Sequence, residues 1–106
     1  MKTLAQSDLN EIIERLSREF NPEKIILFGS HAWGRPHAGS DIDLLVIVPS
    51  ASIPPSLRAA QAYRCLQGIK IPTEIIVSTP QELERYRSVP SSLTRRILER
   101  GKVIYG

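Results

Sequence analysis

A single cysteine, Cys65, stands in a chain of 106 residues. No intramolecular disulfide can form and no cysteine cluster can hold zinc, which points to a reducing, cytoplasmic setting. Long apolar runs are missing as well. The longest, Leu44 to Val48, falls far short of the roughly 20 residues that span a bilayer. Met1 to Asn10 contains a lysine with no apolar run behind it, so neither a secretory signal nor a membrane partner is expected. Basic residues form no polybasic arm, and direct nucleic-acid binding is not expected. No repeat or low-complexity segment interrupts the chain.

What is present fits a globular protein. Hydrophobic residues make up 42% of the chain and charged residues 24%, near the globular average. The length suits one hydrophobic core and one domain over residues 1–106. Fourteen Lys and Arg against eleven Asp and Glu give a net charge of +3, a modest imbalance that suits an anionic partner without demanding one.

Leu9, Ile12, Ile13, Leu16 and Phe20 fall at helical spacing behind the capping candidates Ser7 and Asp8 and before Pro22, which predicts a first amphipathic helix. Lys24 to Phe28 and Ile42 to Val48 read as buried strands that stop at Gly29 and Pro49. The second is apolar on both faces, so the sheet is expected to be covered on both sides there. The glycine-rich segment between them reads as a loop with one helical turn. Pro54 and Pro55 open a second helix in which Ala59, Ala62, Tyr63 and Leu66 share a face, with Gly68 as its stop. Thr73 to Val77 is a third strand, and Thr79, Pro80 and Glu82 supply an N-cap, an N1 proline and a capping-box partner for a third helix. Ser91 or Ser92 caps a last helix containing Leu93, Ile97 and Leu98. Gly101 ends it, and Lys102 to Tyr105 forms a terminal strand.

The join between the first two strands carries the chemistry. Asp41 and Asp43 stand two apart at the head of a strand otherwise built of Leu, Val and Ile, so strand geometry puts both carboxylates on one face. Close carboxylates beside an apolar core are costly unless a proton, a base or a metal offsets their repulsion, and such pairs are usual Mg²⁺ ligands. Asp41 can also be a plain turn residue after Gly39-Ser40, and Asp43 a solvated strand end. Gly29-Ser30 at the end of the preceding strand shifts the balance. A residue without a side chain lets a phosphate approach the backbone, a hydroxyl can donate to it, and a helix starting there would aim its N–H groups at the same anion.

Gly29-Ser30-His31-Ala32-Trp33-Gly34 followed by Ser40-Asp41-Ile42-Asp43-Leu44-Leu45-Val46 resembles the signature of the minimal nucleotidyltransferases of the DNA polymerase beta superfamily. The resemblance extends over nearly the whole chain. It implies an α/β (α+β) nucleotidyltransferase fold, a small mixed sheet with flanking helices. It also implies that Gly29, Ser30 and Ser40 hold the triphosphate of ATP, and that Asp41 and Asp43 bind Mg²⁺. A third carboxylate on the next strand belongs to the family pattern, and Glu74 matches it. Glu74 would complete a metal site and help deprotonate the attacking hydroxyl, while the metals stabilise the attacking and leaving oxygens. All three carboxylates are then expected to converge within about 4 to 6 Å.

Two positions depart from the family. The third carboxylate is usually aspartate, and the extra methylene of Glu74 moves it by roughly 1.5 Å. Many relatives carry arginine where Trp33 stands. Trp33 can stack on a base or an acceptor, though a lone tryptophan in a small domain more often packs. Arg35 lies close enough to replace a phosphate contact, or is simply exposed. His31 and His37 share the loop without metal-ligand spacing and are assigned no role. Cys65 reads as a small buried side chain. Arg95, Arg96 and Arg100 form either a partner-docking face or the polar side of a core helix.

A chain this short leaves little surface for an acceptor site, so the acceptor is expected from a partner. Proteins similar to this one are often encoded with a HEPN-domain ribonuclease toxin and act as antitoxins, adding AMP from ATP to a toxin tyrosine. The resemblance therefore implies a metal-dependent protein adenylyltransferase with a HEPN toxin as partner. The rival expectation is a catalytically weak binding module that neutralises its partner by occlusion. Transfer to a small molecule is disfavoured, because relatives of that kind carry an added domain. Base preference, acceptor and oligomeric state are not legible in these residues.

Overall fold

The computed structural model describes residues 6–33, 41–87, 89 and 92–106, and only the backbone of Ser30, Trp33 and Arg87. Helix α1 spans Gln6–Phe20 and buries Leu9, Ile12 and Leu16, the stripe expected from their spacing. It ends where Asn21 takes a φ of 47° and its N–H donates to the Ser17 carbonyl, a left-handed stop that asparagine tolerates. Pro22 then forbids continuation.

Four strands form one mixed sheet: β1 (Lys24–Phe28), β2 (Ile42–Ile47), β3 (Thr73–Ser78) and β4 (Lys102–Tyr105), in the order β3-β2-β1-β4. Strand β1 is antiparallel to both β2 and β4, whereas β2 and β3 are parallel. A parallel pair needs a crossover, and helix α3 (Pro55–Cys65) supplies it. The short helix α2 is Ser30–Trp33, while α4 (Pro80–Arg87) and α5 (Leu93–Arg100) lie between β3 and β4.

The length suggested one hydrophobic core, but apolar residues on both faces of β1 and β2 build two, one on each side of the sheet. Ile25, Leu27, Leu44 and Val46 pack with Ile12 and Leu16 of α1 and Ala62 of α3. Ile26, Phe28, Leu45 and Ile47 pack on the other face with Leu83 of α4 and Ile97 of α5. Leu44 and Leu45, adjacent in sequence, are 0% and 1% exposed on opposite faces. Each such side chain contributes about 2 kcal/mol of transfer free energy. No helix among the described residues is long and apolar enough to cross a membrane.

Strand β3 lies at an edge of the sheet, where unpaired backbone groups invite other strands. Helix α3 covers it. The Ile75 N–H donates to the Tyr63 hydroxyl at 3.2 Å, and the Arg58 guanidinium donates to the Val77 carbonyl at 3.0 Å. Tyr63 was expected on the apolar face with Ala62 and Leu66; those two are buried, but Tyr63 is half-exposed because its hydroxyl serves the sheet edge.

The caps fall largely where the residues predict them. Thr79 and Glu82 exchange hydrogen bonds as a capping box, Pro55 starts α3 behind Pro54, and the Ser92 hydroxyl accepts from the Arg95 N–H. Helix α3 ends at Cys65, before the expected stop at Gly68, and the chain turns through Leu66 and Gln67 first. Gly101 ends α5 by a different route from the one expected. Its φ is −72°, not left-handed, and a Cβ there would meet Ile26 Cγ2 at 2.5 Å and the Ile97 carbonyl oxygen at 2.6 Å. Close packing of α5 on β1, not backbone handedness, requires the glycine.

Candidate active site

Strand β1 ends at Phe28, and Gly29 turns the chain with a φ of 77°, a conformation that favours glycine. Space imposes a second requirement: a Cβ on Gly29 would lie 2.0 Å from Asp43 Oδ2. The antiparallel register sets Phe28 opposite Asp43, so the carboxylate folds over the backbone of the turn. Ala32 closes that turn by donating its N–H to the Gly29 carbonyl at 3.0 Å.

Parallel pairing brings in the third strand. Asp43 is the register partner of Glu74, as Leu45 is of Ile76, so both carboxylates occupy the face that carries Phe28 and Leu45. Burial holds the Asp43 carboxyl above its ordinary range. The Glu74 charge, a hydrogen bond with Glu74 and the Asp41 charge push the same way, while charge on His31 pulls it back. Two carboxylates cannot share a hydrogen bond unless one of them carries a proton. In the absence of that proton the pair calls for a cation.

Asp41 is exposed and precedes the first residue pair of β2 and β3, Ile42 with Thr73. It reaches Asp43 through its charge. The expected three-way convergence is not realised: among the described residues, no three His, Cys, Asp or Glu side chains cluster tightly enough to hold a metal ion. Strand register pairs Asp43 with Glu74 directly, whereas Asp41 lies beyond the paired segment. The donor chemistry still fits a hard divalent cation, since every candidate ligand is a carboxylate and two of them are crowded.

Helix α2 begins at Ser30, as the glycine-rich segment suggested. Ser40, Arg35 and His37 and the side chains of Ser30 and Trp33 lie outside the described residues. His31, left without a role by sequence reasoning, belongs to the electrostatic surroundings of Asp43. Its position directly after Gly29-Ser30 was the available signal. Cys65 is half-buried against the first core, and burial pushes its thiol up, as expected of a packing residue. A cleft lined by Glu19, Val48, Ser52 and Gln61 lies at the far end of β2, away from Asp43.

The site is thus a crowded acidic pair above a glycine turn, and a family model described as polymerase beta, nucleotidyltransferase, matches residues 10–106. This chain belongs to the polymerase beta nucleotidyltransferase family. The nucleotidyltransferase fold is also shared with the crystal structure of a Sulfolobus solfataricus protein assigned as a nucleotidyltransferase. That structure is similar to this chain with a TM-score of 0.59 and 27% identity over 74% of this chain and 70% of the other. No curated protein matches the chain at a significant level.

On the open side of this acidic pair, Ile76 is 36% exposed beside Leu45, which is 1% exposed. Helices α4 and α5 cover the β1 and β2 part of the face through Leu83 and Ile97. The β3 part, next to Glu74, is left accessible.

Proposed function

We propose that the chain transfers AMP from ATP to a hydroxyl acceptor, a tyrosine of a HEPN ribonuclease toxin, and so acts as its antitoxin. The observation that carries the reaction type is the Asp43 and Glu74 pair, held in register above a turn that excludes a side chain at Gly29. Asp41, Asp43 and Glu74 are the residues that would hold Mg²⁺, whose chemistry is to neutralise the triphosphate and stabilise the attacking and leaving oxygens. Gly29, Ser30 and Ser40 would cradle the phosphates, with backbone and hydroxyl groups as donors.

In the proposed reaction the acceptor oxygen attacks the α-phosphorus. A bond forms from that oxygen to phosphorus, the bond from the α-phosphorus to the bridging oxygen breaks, and pyrophosphate leaves. Glu74, the exposed member of the pair, is suited to take the hydroxyl proton. Its open flank at Ile76 gives a protein-borne hydroxyl room to approach. A single cysteine is consistent with work in the cytoplasm, where ATP is supplied.

A second reading is favoured by the stand-off position of Asp41: a weakly active module that neutralises its partner by occlusion. The purified chain, incubated with ATP, Mg²⁺ and the protein encoded beside it, separates the two. Labelling of the neighbour that is lost in both Asp41→Ala and Asp43→Ala supports transfer. Equal labelling by the variants overturns the site assignment, and neutralisation that survives Asp43→Ala without nucleotide binding supports occlusion.

A further inference from the structure

The charge of the chain is unevenly distributed. Residues 1–79 carry eight Lys and Arg and eight Asp and Glu, whereas residues 80–106 carry six basic and three acidic residues. The whole net charge of +3 therefore resides in the segment of α4, α5 and β4. Glu82 pairs with the buried Arg58 of α3, and Glu99 pairs with Arg95. Arg85, Arg96 and Arg100 are exposed on the two helices.

The same surface is apolar where it should not be. Tyr86 is 50% exposed, Val89 42% and Leu93 47%, and they belong to one tight connection. The Val89 N–H and the Ser92 hydroxyl both donate to the Tyr86 carbonyl, at 3.1 and 2.9 Å, and the Ser92 N–H donates to the Val89 carbonyl. Ser92 in turn caps α5 immediately before Leu93. Arg85 adjoins Tyr86, and the exposed Arg96 and Arg100 sit one and two turns along from Leu93. An exposed tyrosine among arginines matches the enrichment of Tyr and Arg at protein-binding surfaces, and Val89 and Leu93 add apolar area beside it.

Position links this surface to the site. Leu83 and Ile97, the inward residues of α4 and α5, pack on Phe28 and Leu45, the face that carries Asp43 and Glu74. A partner seated on the α4–α5 connection is therefore on the correct side of the sheet to extend towards the open flank at Ile76.

We infer that the exposed face of α4 and α5, centred on Tyr86, Val89 and Leu93, is the docking surface for a protein partner that presents acidic side chains around an apolar centre. The inference deepens the proposed reaction by giving its protein acceptor a place to dock, and rests on that reading only for the transfer that follows docking. Charge complementarity selects an acidic partner. The three apolar side chains favour a protein over a nucleic acid, because the net charge of +3 is small.

The test measures docking without nucleotide, so it stands whether or not transfer occurs. The probe is a synthetic amphipathic helical peptide with Glu along one flank and Leu and Phe along the other. Titration into the full chain, followed by NMR, is expected to shift the amides of residues 85–100. Leu93→Ser and Arg96→Glu, both at exposed positions, are each expected to weaken binding at least about tenfold with an unchanged fold spectrum. Shifts confined to other surfaces, or affinities unaltered in both variants, would overturn the inference. So would tighter binding of a single-stranded oligouridylate of equal charge, or a self-associated state that Leu93→Ser dissolves.

Discussion

Gly29 meets two constraints at one position: a φ of 77° and an Asp43 carboxylate oxygen 2.0 Å from where a Cβ would be. Gly29→Ala is expected to destabilise the fold by about 1–3 kcal/mol through backbone strain. It should reduce nucleotidyl transfer by about a hundredfold, since an ångström-scale displacement of a catalytic group costs that much. Melting curves and initial rates on the same preparation check both, and an unaffected rate would sever the turn from the site. Asp43 makes the opposite trade. Its carboxyl is held above the ordinary value of 3.8 by burial and by Glu74. The folded state thus binds that proton more tightly than the unfolded chain does. The associated stability is fully present below the unfolded value and is lost as pH rises through the folded value. Asp43→Asn removes the charge that crowds Glu74, so at neutral pH the variant should melt at or above the parent temperature while transfer is abolished. The advantage should shrink as pH falls towards 3.8; an advantage that grows on acidification would contradict the crowding account.

At the scale of elements, the link between α3, β3 and α4 depends on one buried cation. Arg58 is 5% exposed. It donates to both Glu82 carboxylate oxygens at 2.7 and 2.8 Å and to the carbonyls of Ile53 and Val77. The hydrogen bonds from Arg58 and from the Thr79 backbone hold the Glu82 carboxyl down at about 2, against an ordinary 4.5. For a depressed carboxyl the stabilisation is present above the unfolded value and is lost as pH falls through the folded one, here between 4.5 and about 2. Arg58→Met should cost about 3 kcal/mol at neutral pH and flatten the acid loss of stability in that window. Urea unfolding at several pH values would show it, and an unchanged acid limb would mean that Glu82 is not the titrating group. Legibility in the sequence divides along the same lines. Strand β1 lies where its apolar run predicted, the Thr79 and Glu82 cap was readable from spacing, and Gly29 marked the turn. Arg58 and Tyr63 were not legible as clamps of an edge strand, because nothing local reveals which strand lacks a neighbour. The pairing of Asp43 with Glu74 was accessible only through family resemblance, since a crossover of about 30 residues separates them and register is a tertiary property. Asp41 was ranked with Asp43 because a strand period of two puts them on one face; its place beyond the paired segment depends on where β3 begins.

At the scale of the whole molecule, two cores fix a four-stranded sheet whose one face carries a crowded acidic pair and a basic, partly apolar helical surface. Acid at the proposed reacting end and cation at the proposed docking end would give the face a polarity that suits a large acceptor carrying its own negative charge. The proposed reaction is phosphoanhydride cleavage at the α-phosphorus directed by Asp43 and Glu74. The measurement that tests it most directly compares ATP labelled at the α-phosphate with ATP labelled at the γ-phosphate, each with Mg²⁺, the full chain and the protein encoded beside it. The α label is expected to become covalently attached to the partner, the γ label to appear only in pyrophosphate, and Asp43→Asn to attach neither. Attachment of the γ label, or α labelling by Asp43→Asn at the parent rate, would contradict it.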